Sequence, residues 1–600
     1  MEANNDMAQY KCKICSYIYD EKKEGNNWED LASNWVCPVC QAPKPAFELI
    51  KETDIHIVHT ENTEITISDL MIETMIRWGV QHVFGMIGHS NLGLAEAIRK
   101  QCEKNRLAYI GVRHEASAAF AASAYAKLSG KPAACLSIAG PGATNLLTGL
   151  WDAKLDRVPV LALTGQVDLQ FLGPGSFQEV NLSASFEPVS CFSQTVLAQS
   201  NHTELMNLAL KHAIIERGVS HLIFPNEIQE ITVGHTSISI DPSKRLPSLN
   251  IIPSETSIAK ALEMIRMAKK PVIIVGYGSK TGMKTIKQFA ETFKLPVLTT
   301  FKAKGFIPDD HPLACGVLGL SGTPVASHFM TQSDLLIVFG ASFSKHTGIL
   351  KDKPTIQVDY DPLSLGKFHD ISMPILGEIE ATVSILMDEL KNDAPKNDPS
   401  AILSDHWKKW RLEKKNRENK DQGNGLNSAS VFAAMTRHVP QHAVIAVDVG
   451  DNTYSFGRYF ECQSQSIVMS GYLGSIGFAY PGAIGAWGAA PNRPIFCVTG
   501  DGGFAQYMCE MTTAVKYGIP IKHILLNNAQ LGKITKEQRH NNKPVWSTDL
   551  HNPDFSKYAE NCGALGIRIE NKSQLDEGFK KMMRYDGPAM LEIMTDPELI

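Results

Sequence analysis

Short apolar runs, each closed by glycine, asparagine or an acid, punctuate much of this chain. Pro494-Ile-Phe-Cys-Val-Thr499 runs into Gly500-Asp501-Gly502-Gly503-Phe504, and Ile521-Lys-His-Ile-Leu-Leu526 runs into Asn527-Asn528. Runs of this length and composition predict buried strands. Between them, residues 506–517 predict a helix stopped by Gly518 and Pro520. The unit is therefore βαβ, with Asp501 and Asn528 at strand ends, where open α/β sheets bind their ligands. Three more runs, at 271–278, 334–340 and 355–359, predict further strands, two of them ending in glycine. Residues 391–399 read as a linker before a charged, helix-like stretch, and 236–254 as another; no internal sequence repeat is visible.

Strand-end glycines allow backbone N–H groups to approach a phosphate closely. A hard divalent cation wants oxygen, and Mg²⁺ typically combines one or two protein oxygens with phosphate oxygens and water. Asp501, Asn528 and the Gln530 carbonyl offer such oxygens. With Asn528 placed 27 residues after Asp501, the pattern resembles the signature of thiamine diphosphate enzymes. Val112-Arg-His-Glu115-Ala-Ser-Ala-Ala-Phe, Ala139-Gly-Pro-Gly-Ala-Thr-Asn145 and Pro159-Val-Leu-Ala-Leu-Thr-Gly-Gln166 follow in that family's order. Taken alone, Glu115 also reads as a helix-start residue favoured by the helix dipole. The resemblance implies that its carboxyl hydrogen-bonds the aminopyrimidine ring, where proton exchange activates the cofactor. It further implies that Ile476, in Gly471-Tyr-Leu-Gly-Ser-Ile-Gly477, props the cofactor, and that Val449, Gly450, Gly500, Gly502 and Gly503 bind it.

From about residue 65 to 600 the chain resembles the acetolactate synthase and pyruvate oxidase family. The implied fold class is α/β, with three doubly wound parallel-sheet domains: pyrimidine-binding (62–235), central flavin-type (255–390) and diphosphate-binding (425–600). In this family Glu115 of one subunit serves another subunit's diphosphate domain, which implies a homodimer or homotetramer. Gly276, Gly278, Thr299, Ser321, Gly322, Gly340 and Asp359 stand in stretches resembling flavin-binding relatives, so FAD is expected. Ser342 departs from the acetolactate synthases, which carry arginine there. At Glu537 those synthases have tryptophan and pyruvate oxidases glutamate. A solvent-facing turn of Lys-Glu-Gln is the plainer reading of Glu537. The Phe177-Gln178-Glu179 segment resembles one that reaches the substrate, with Gln178 as a donor and Phe177 beside it. The implied reaction is oxidative decarboxylation of a short 2-oxo acid, pyruvate first, to acetate or acetyl phosphate; an acetolactate-type carboligase using FAD structurally is the alternative.

Cys12-Lys-Ile-Cys15 and Cys37-Pro-Val-Cys40 form two C-x₂-C knuckles suited to one tetrahedral thiolate site. Tyr17-Ile-Tyr-Asp, Trp35-Val-Cys-Pro-Val-Cys and Lys44-Pro-Ala-Phe47 resemble rubredoxin, which implies iron in residues 1–52, with zinc the structural alternative. Ser16 and Gln41 stand where rubredoxins commonly have glycine, and the loop between knuckles is shorter than usual. The other eight cysteines are scattered singly, as expected of reduced thiols. If iron is held, a soluble electron-transfer protein is the expected partner.

Of 600 residues, 44% are hydrophobic and 20% charged, an ordinary globular composition. A net charge of −5 offers no basic footprint for nucleic acid. With no run of eighteen apolar residues and no signal-like start, stable membrane insertion is not expected and a cytoplasmic location is.

Overall fold

The computed structural model describes residues 8–14, 17–50, 65–234, 241–395 and 397–598. Cys15, Ser16, residues 51–64 and part of the 236–254 linker lie outside them. The chain divides into two compact units, Met1–Glu64 and Ile65–Ile600.

In the first unit a central strand, Gln9–Cys12, pairs antiparallel with Ile18–Asp20 and with Phe47–Ile50. So small a unit cannot bury much apolar surface, and aromatics fill it. Trp28 stacks on Tyr10 at 4.3 Å and meets Tyr19, Trp35 and Phe47 at 5.0–5.3 Å between ring centres. Buried Glu21 accepts hydrogen bonds from the backbone N–H groups of Ala8 and Trp28, both at 2.6 Å.

The second unit contains three parallel six-stranded sheets with helices around them. Their inner strands are mostly apolar and buried on both faces, as a parallel sheet covered by helices requires, while outer strands such as Ser190–Thr195 and Met373–Leu376 are partly exposed. The first sheet comprises His82–Gly85, Ala108–Gly111, Ala133–Ser137, Val160–Gln166, Ser190–Thr195 and Val219–Pro225. Counting strands within the sheet, their order is 2-1-3-4-6-5. The third sheet, Val444–Val447, Ser466–Val468, Ile495–Gly500, Lys522–Asn527, Leu565–Ile569 and Ala589–Met594, has the same order. The central sheet begins with Pro271–Val275, Val297–Thr299, Ala314–Val317 and Leu335–Phe339, continues with Thr355–Asp359 and Met373–Leu376, and has the order 3-2-1-4-5-6.

The predicted strands at 271, 335, 355, 495 and 522 are all present. The helix expected over 506–517 instead starts at Asp501, runs to Tyr507, breaks at Met508–Cys509 and resumes as Glu510–Lys516. Gly502 and Gly503 have low helix propensity, so the first turn is invisible to a propensity argument. The charged stretch after 399 is the helix Ser400–Glu418.

The helices that follow strand 2 in the first and third sheets, Glu115–Ser129 and Ala479–Ala489, pack directly on each other. A Cβ at Gly485 would lie 1.9 Å from the carbonyl oxygen of Ala121, so the two backbones touch there and only glycine fits.

Candidate active site and metal centre

Strands Val444–Val447 and Ile495–Gly500 are neighbours at the point where the third sheet's strand order reverses, the usual ligand crevice of such sheets. Asp448 follows one strand and Asp501 the other. Asp501 is buried, and its Oδ2 accepts a 2.6 Å hydrogen bond from Asn552 Nδ2, which also lies 3.0 Å from Asn527 Oδ1. Burial raises the Asp501 pKa, opposed by Asn552 and backbone N–H groups. A bound divalent cation would offset that penalty.

Asn528 follows the next strand, and its Oδ1 accepts from the Gln530 N–H at 3.2 Å. A Cβ at Gly532 would meet Asp451 Oδ2 at 2.6 Å and Asn528 Nδ2 at 3.2 Å, which brings Asp451 to the same corner. Lys536 Nζ lies 3.2 Å from Asp451 Oδ2. Gly502 faces the side-chain tips of Leu531 and Leu550. Asp501, Asn528, Gln530 and the Gly500–Gly503 backbone thus share one strand-end corner, with an oxygen donor set that suits Mg²⁺ and a diphosphate.

Asp448 was not singled out from sequence, although its neighbours were. Its carboxylate accepts from Val449 N–H at 2.9 Å and from Gly477 N–H at 3.0 Å. A Cβ at Gly503 would lie 2.1 Å from Asp448 Oδ2 and 3.2 Å from Ile476 Cγ1. Ile476, Gly503 and Val449 are therefore arranged around a buried acid, whose pKa burial pushes up to about 7 against the N–H groups of Val449, Gly477, Phe478 and Ala479. The overlooked signal was an apolar run ending in an acid and glycine, the same pattern that marked Asp501. Gly450, at φ 135°, packs near Asn452 Oδ1.

Glu115 opens the helix Glu115–Ser129 and is 6% exposed. Its Oε2 accepts from Asn145 Nδ2 at 3.0 Å, and Oε1 lies against Gly142, where a Cβ would approach to 3.0 Å. The preceding N–H groups, of Arg113 and His114, both donate to Glu510 Oε1 at 3.0 Å, so a third-sheet acid anchors this helix start. Gln178 has a left-handed backbone, φ 62°, pressed against Gly140 at φ 61°, and its Oε1 is buried without a hydrogen-bond partner among the described residues. Phe177 is 81% exposed. Glu179 accepts from the N–H groups of Gly173, Gly175 and Ser176 at 2.6–2.8 Å, which accounts for it as a loop organiser. Glu537, on the helix Gly532–His540, is half exposed and pairs with Lys533 at 3.0 Å. Judged by polar partners, Glu115, the Asp501 corner and Glu537 are three local assemblies.

In the central sheet, Gly276 and Gly340 follow strands 1 and 4, again the pair at the reversal of strand order. A Cβ at Gly276 would lie 2.2 Å from Gly340 O, and one at Gly340, φ 54°, would lie 2.5 Å from the Gly278 carbonyl carbon. The three glycines allow the two strand-end loops to pack backbone to backbone. Thr299 ends strand 2 and Asp359 ends strand 5. Burial raises the Asp359 pKa, and its Oδ1 accepts from Asp361 N–H at 3.0 Å. Gly322 packs on the carbonyls of Val317 and Gly319, while Ser321 O abuts Gly457. Strand-end glycines and a strand-end acid are the residue types that suit the pyrophosphate and ribose of a dinucleotide.

In the first unit, the Sγ atoms of Cys12, Cys37 and Cys40 all lie within 4.8 Å of one another, and Cys12 and Cys40 are 3.7 Å apart. Four thiolates about 2.3 Å from a metal form a tetrahedron of edge ~3.8 Å, so the spacing fits one ion. Cys15 lies outside the described residues. Gln41, standing where glycine is usual, adopts φ 59°, and its N–H donates to Cys37 O at 2.9 Å. The left-handed turn is thus kept without the residue that adopts it most readily. Ile14 and Val39, between the cysteines of each knuckle, are 71% and 66% exposed. Outside this unit, four of the eight remaining cysteines are buried and all eight are free.

Among the described residues, no helix is long and apolar enough to cross a membrane. Profiles of known families match the chain in four places. The rubredoxin profile covers residues 9–47, and the N-terminal, central and C-terminal domains of thiamine pyrophosphate enzymes cover 65–185, 258–386 and 448–593. The thiamine pyrophosphate-containing protein YdaP of Bacillus subtilis (strain 168) is 35% identical over 539 residues, 89% of this chain and 92% of that protein. Pyruvate oxidase of Lactiplantibacillus plantarum is 29% identical, covering 89% of each chain. The acetolactate synthase large subunit of Porphyra purpurea is 30% identical, covering 87% of this chain and 90% of its own. With three thiamine-enzyme domains in order and a four-cysteine unit before them, the chain belongs to the thiamine pyrophosphate enzyme family and carries a rubredoxin domain at its N-terminus.

Proposed function

We propose that the chain catalyses thiamine diphosphate- and FAD-dependent oxidative decarboxylation of a short 2-oxo acid, pyruvate by first choice, to carbon dioxide and acetate or acetyl phosphate. The two electrons passed to the flavin would leave one at a time through an iron centre in the rubredoxin domain to a soluble electron-transfer protein. The thiolate cluster of Cys12, Cys37 and Cys40, fused to an enzyme of this family, carries the reading, because an electron carrier is of no use to a redox-neutral carboligation. Glu537, in place of a tryptophan, also supports it.

When bound, thiamine diphosphate supplies an acidic carbon and an electron sink, and FAD supplies the electron acceptor. The chain's own residues do the rest. Asp501, Asn528 and the Gln530 carbonyl hold Mg²⁺ and, with the Gly500–Gly503 backbone, the diphosphate. Ile476, beside Gly503 and Asp448, would prop the cofactor from the 471–477 segment. Glu115, oriented by Asn145, exchanges a proton with the aminopyrimidine. The family resemblance, in which the equivalent glutamate serves another subunit's diphosphate domain, makes the proposed assembly a homodimer or homotetramer in which Glu115 meets the diphosphate domain of another copy. Gln178 donates to the substrate carboxylate or carbonyl, Phe177 covers it, and Glu537 acts as general acid or base during release. Gly276, Gly278, Gly340, Thr299, Ser321, Gly322 and Asp359 cradle FAD.

The test is a visible spectrum with metal analysis of anaerobically purified protein before and after pyruvate is added. Flavin and ferric-thiolate bands that both bleach support the relay. The second reading, an acetolactate-type carboligase with structural FAD and a zinc-bearing interaction module, is favoured by the equal similarity to acetolactate synthase. Zinc in the cysteine site, with acetolactate formed from pyruvate without an acceptor, would establish it instead.

A further inference from the structure

A buried charge cluster outside the residues assigned above joins all three domains of the second unit. Lys127, on the same helix as Glu115, is 3% exposed, and its Nζ lies 2.6 Å from Asp152 Oδ2, 2.8 Å from Asp156 Oδ2 and 2.8 Å from the carbonyl oxygen of Met469. Asp156 also takes Lys302 Nζ at 2.7 Å on Oδ1 and the Gly471 N–H at 3.1 Å on Oδ2. Two lysines and two aspartates make the cluster neutral. Burial works against the Asp156 charge, but Lys127 and Lys302 together hold its carboxyl below the usual range. Removing one member would leave an uncompensated buried charge.

Lys302 is the central domain's member. It sits in the 299–305 stretch, three residues beyond the strand-end Thr299. Its ammonium lies 4.8 Å from the ring centre of Tyr277 and 5.8 Å from that of Tyr472, within reach of a cation–π attraction. Its stem lies so close to Gly471 that a Cβ there would be 2.3 Å from Lys302 Cδ. Gly471 and Tyr472 begin the segment that ends at Ile476 and Gly477 around Asp448. From the other side, Tyr277 OH and Lys280 Nζ donate to the Lys127 carbonyl, the latter at 3.0 Å. One side chain of the flavin-type domain thus grips the start of the segment that props thiamine diphosphate, and it does so through a fixed acid of the first domain.

We propose that Lys302 is a positioning residue that couples the two cofactor sites, so that FAD on the 299–305 stretch and thiamine diphosphate on the 471–477 segment strengthen each other's binding. The proposal rests on the flavin reading above. Linkage requires the effect to be reciprocal, and coupled sites typically differ 5- to 150-fold.

The experiment titrates thiamine diphosphate with saturating Mg²⁺ into full-length protein, FAD-free and FAD-loaded, and follows intrinsic fluorescence rather than turnover. Wild type is expected to bind thiamine diphosphate about tenfold more tightly with FAD present. K302M/D156N, which removes a cation and an anion together and keeps the cluster neutral, is expected to bring the two constants within twofold of each other. K302R, which keeps the cation, should restore most of the difference. Y472L, which leaves the ion pairs intact, should reduce it. If FAD binds but leaves thiamine diphosphate affinity unchanged in wild type, or if K302M/D156N keeps the full difference, the coupling is overturned while the flavin reading stands. Failure of the wild type to bind FAD overturns both.

Discussion

Replacing Gly503 by alanine tests whether the third-sheet crevice is built as described. The added methyl would lie 2.1 Å from Asp448 Oδ2 and 3.2 Å from Ile476 Cγ1, and ordinary contact begins near 3.4 Å, so something must move by 3.4 − 2.1 = 1.3 Å. Asp448 cannot yield cheaply, because two backbone N–H groups at 2.9–3.0 Å fix its carboxylate. Overpacking of this kind costs roughly 1–3 kcal/mol, offset by about 0.5–1 kcal/mol from alanine's better helix propensity. With the middle of each range the net is about 1.3 kcal/mol. The apo protein can relax by shifting the 476–477 segment, whereas the bound state needs it in place, so the cost emerges as affinity. At 1.4 kcal/mol per tenfold, thiamine diphosphate should bind about tenfold more weakly. Gly502 is the control, since its Cβ would meet only the tips of Leu531 and Leu550 at 3.0 and 3.1 Å, and G502A should stay within a few-fold. Calorimetric titration with Mg²⁺ present measures both. G503A binding within twofold of wild type, or G502A binding as weakly as G503A, would refute the reasoning.

Further outcomes follow from the same geometry. E115Q keeps the Asn145 hydrogen bond but not the exchangeable acid, so exchange of the cofactor's C2 proton, read by NMR, should slow by about 10²–10⁴ while affinity changes far less; unchanged exchange would remove Glu115 from its role. Q41G relieves a left-handed glutamine and should stabilise the metal-loaded first unit by about 1 kcal/mol, seen as a higher urea midpoint for metal release; a lower midpoint would count against the strain argument. Asp448, pushed up to about 7 by burial, holds a proton in the folded apo protein that the unfolded chain has already released above pH 4. Stability should therefore fall as pH rises from about 4 to 7 and level off above. His221 and His523, pushed down to about 3 by burial, act in the opposite sense. The difference between wild type and D448N isolates the aspartate: D448N should lose the falling component, and identical pH profiles would show that Asp448 is ionised throughout.

Much of the site was legible because its chemistry sits at the ends of apolar runs. Asp501, Asn528, Gly276, Gly340 and Asp359 each close a run whose length and apolar composition predict a strand, so local pattern placed them at strand ends. What stayed hidden depends on distant partners. Glu510 looks like an ordinary helical acid until Arg113 and His114, nearly 400 residues earlier, bring their N–H groups to it. Lys127 lies in the last turn of an alanine-rich helix, Asp156 follows another helix and Lys302 sits in the 299–305 stretch, and only the packing of three domains makes them one cluster. Gln41 was visible as a departure from the rubredoxin pattern, but its consequence was not, because backbone conformation cannot be read from composition.

The first and third sheets share a strand order, and their equivalent helices, Glu115–Ser129 and Ala479–Ala489, meet backbone to backbone at Gly485 and Ala121. In geometric terms this is the self-complementary contact of a twofold dimer, written into one chain. A true homodimer must repeat every residue on both sides of its axis. Tethering the halves lifts that constraint, so one platform is free to keep an acid at its helix start while the other specialises in glycines and oxygen ligands. A cofactor with a base-like ring at one end and a polyanion at the other can then be served by two platforms of one strand order, each suited to one end, whichever copies of the chain supply them.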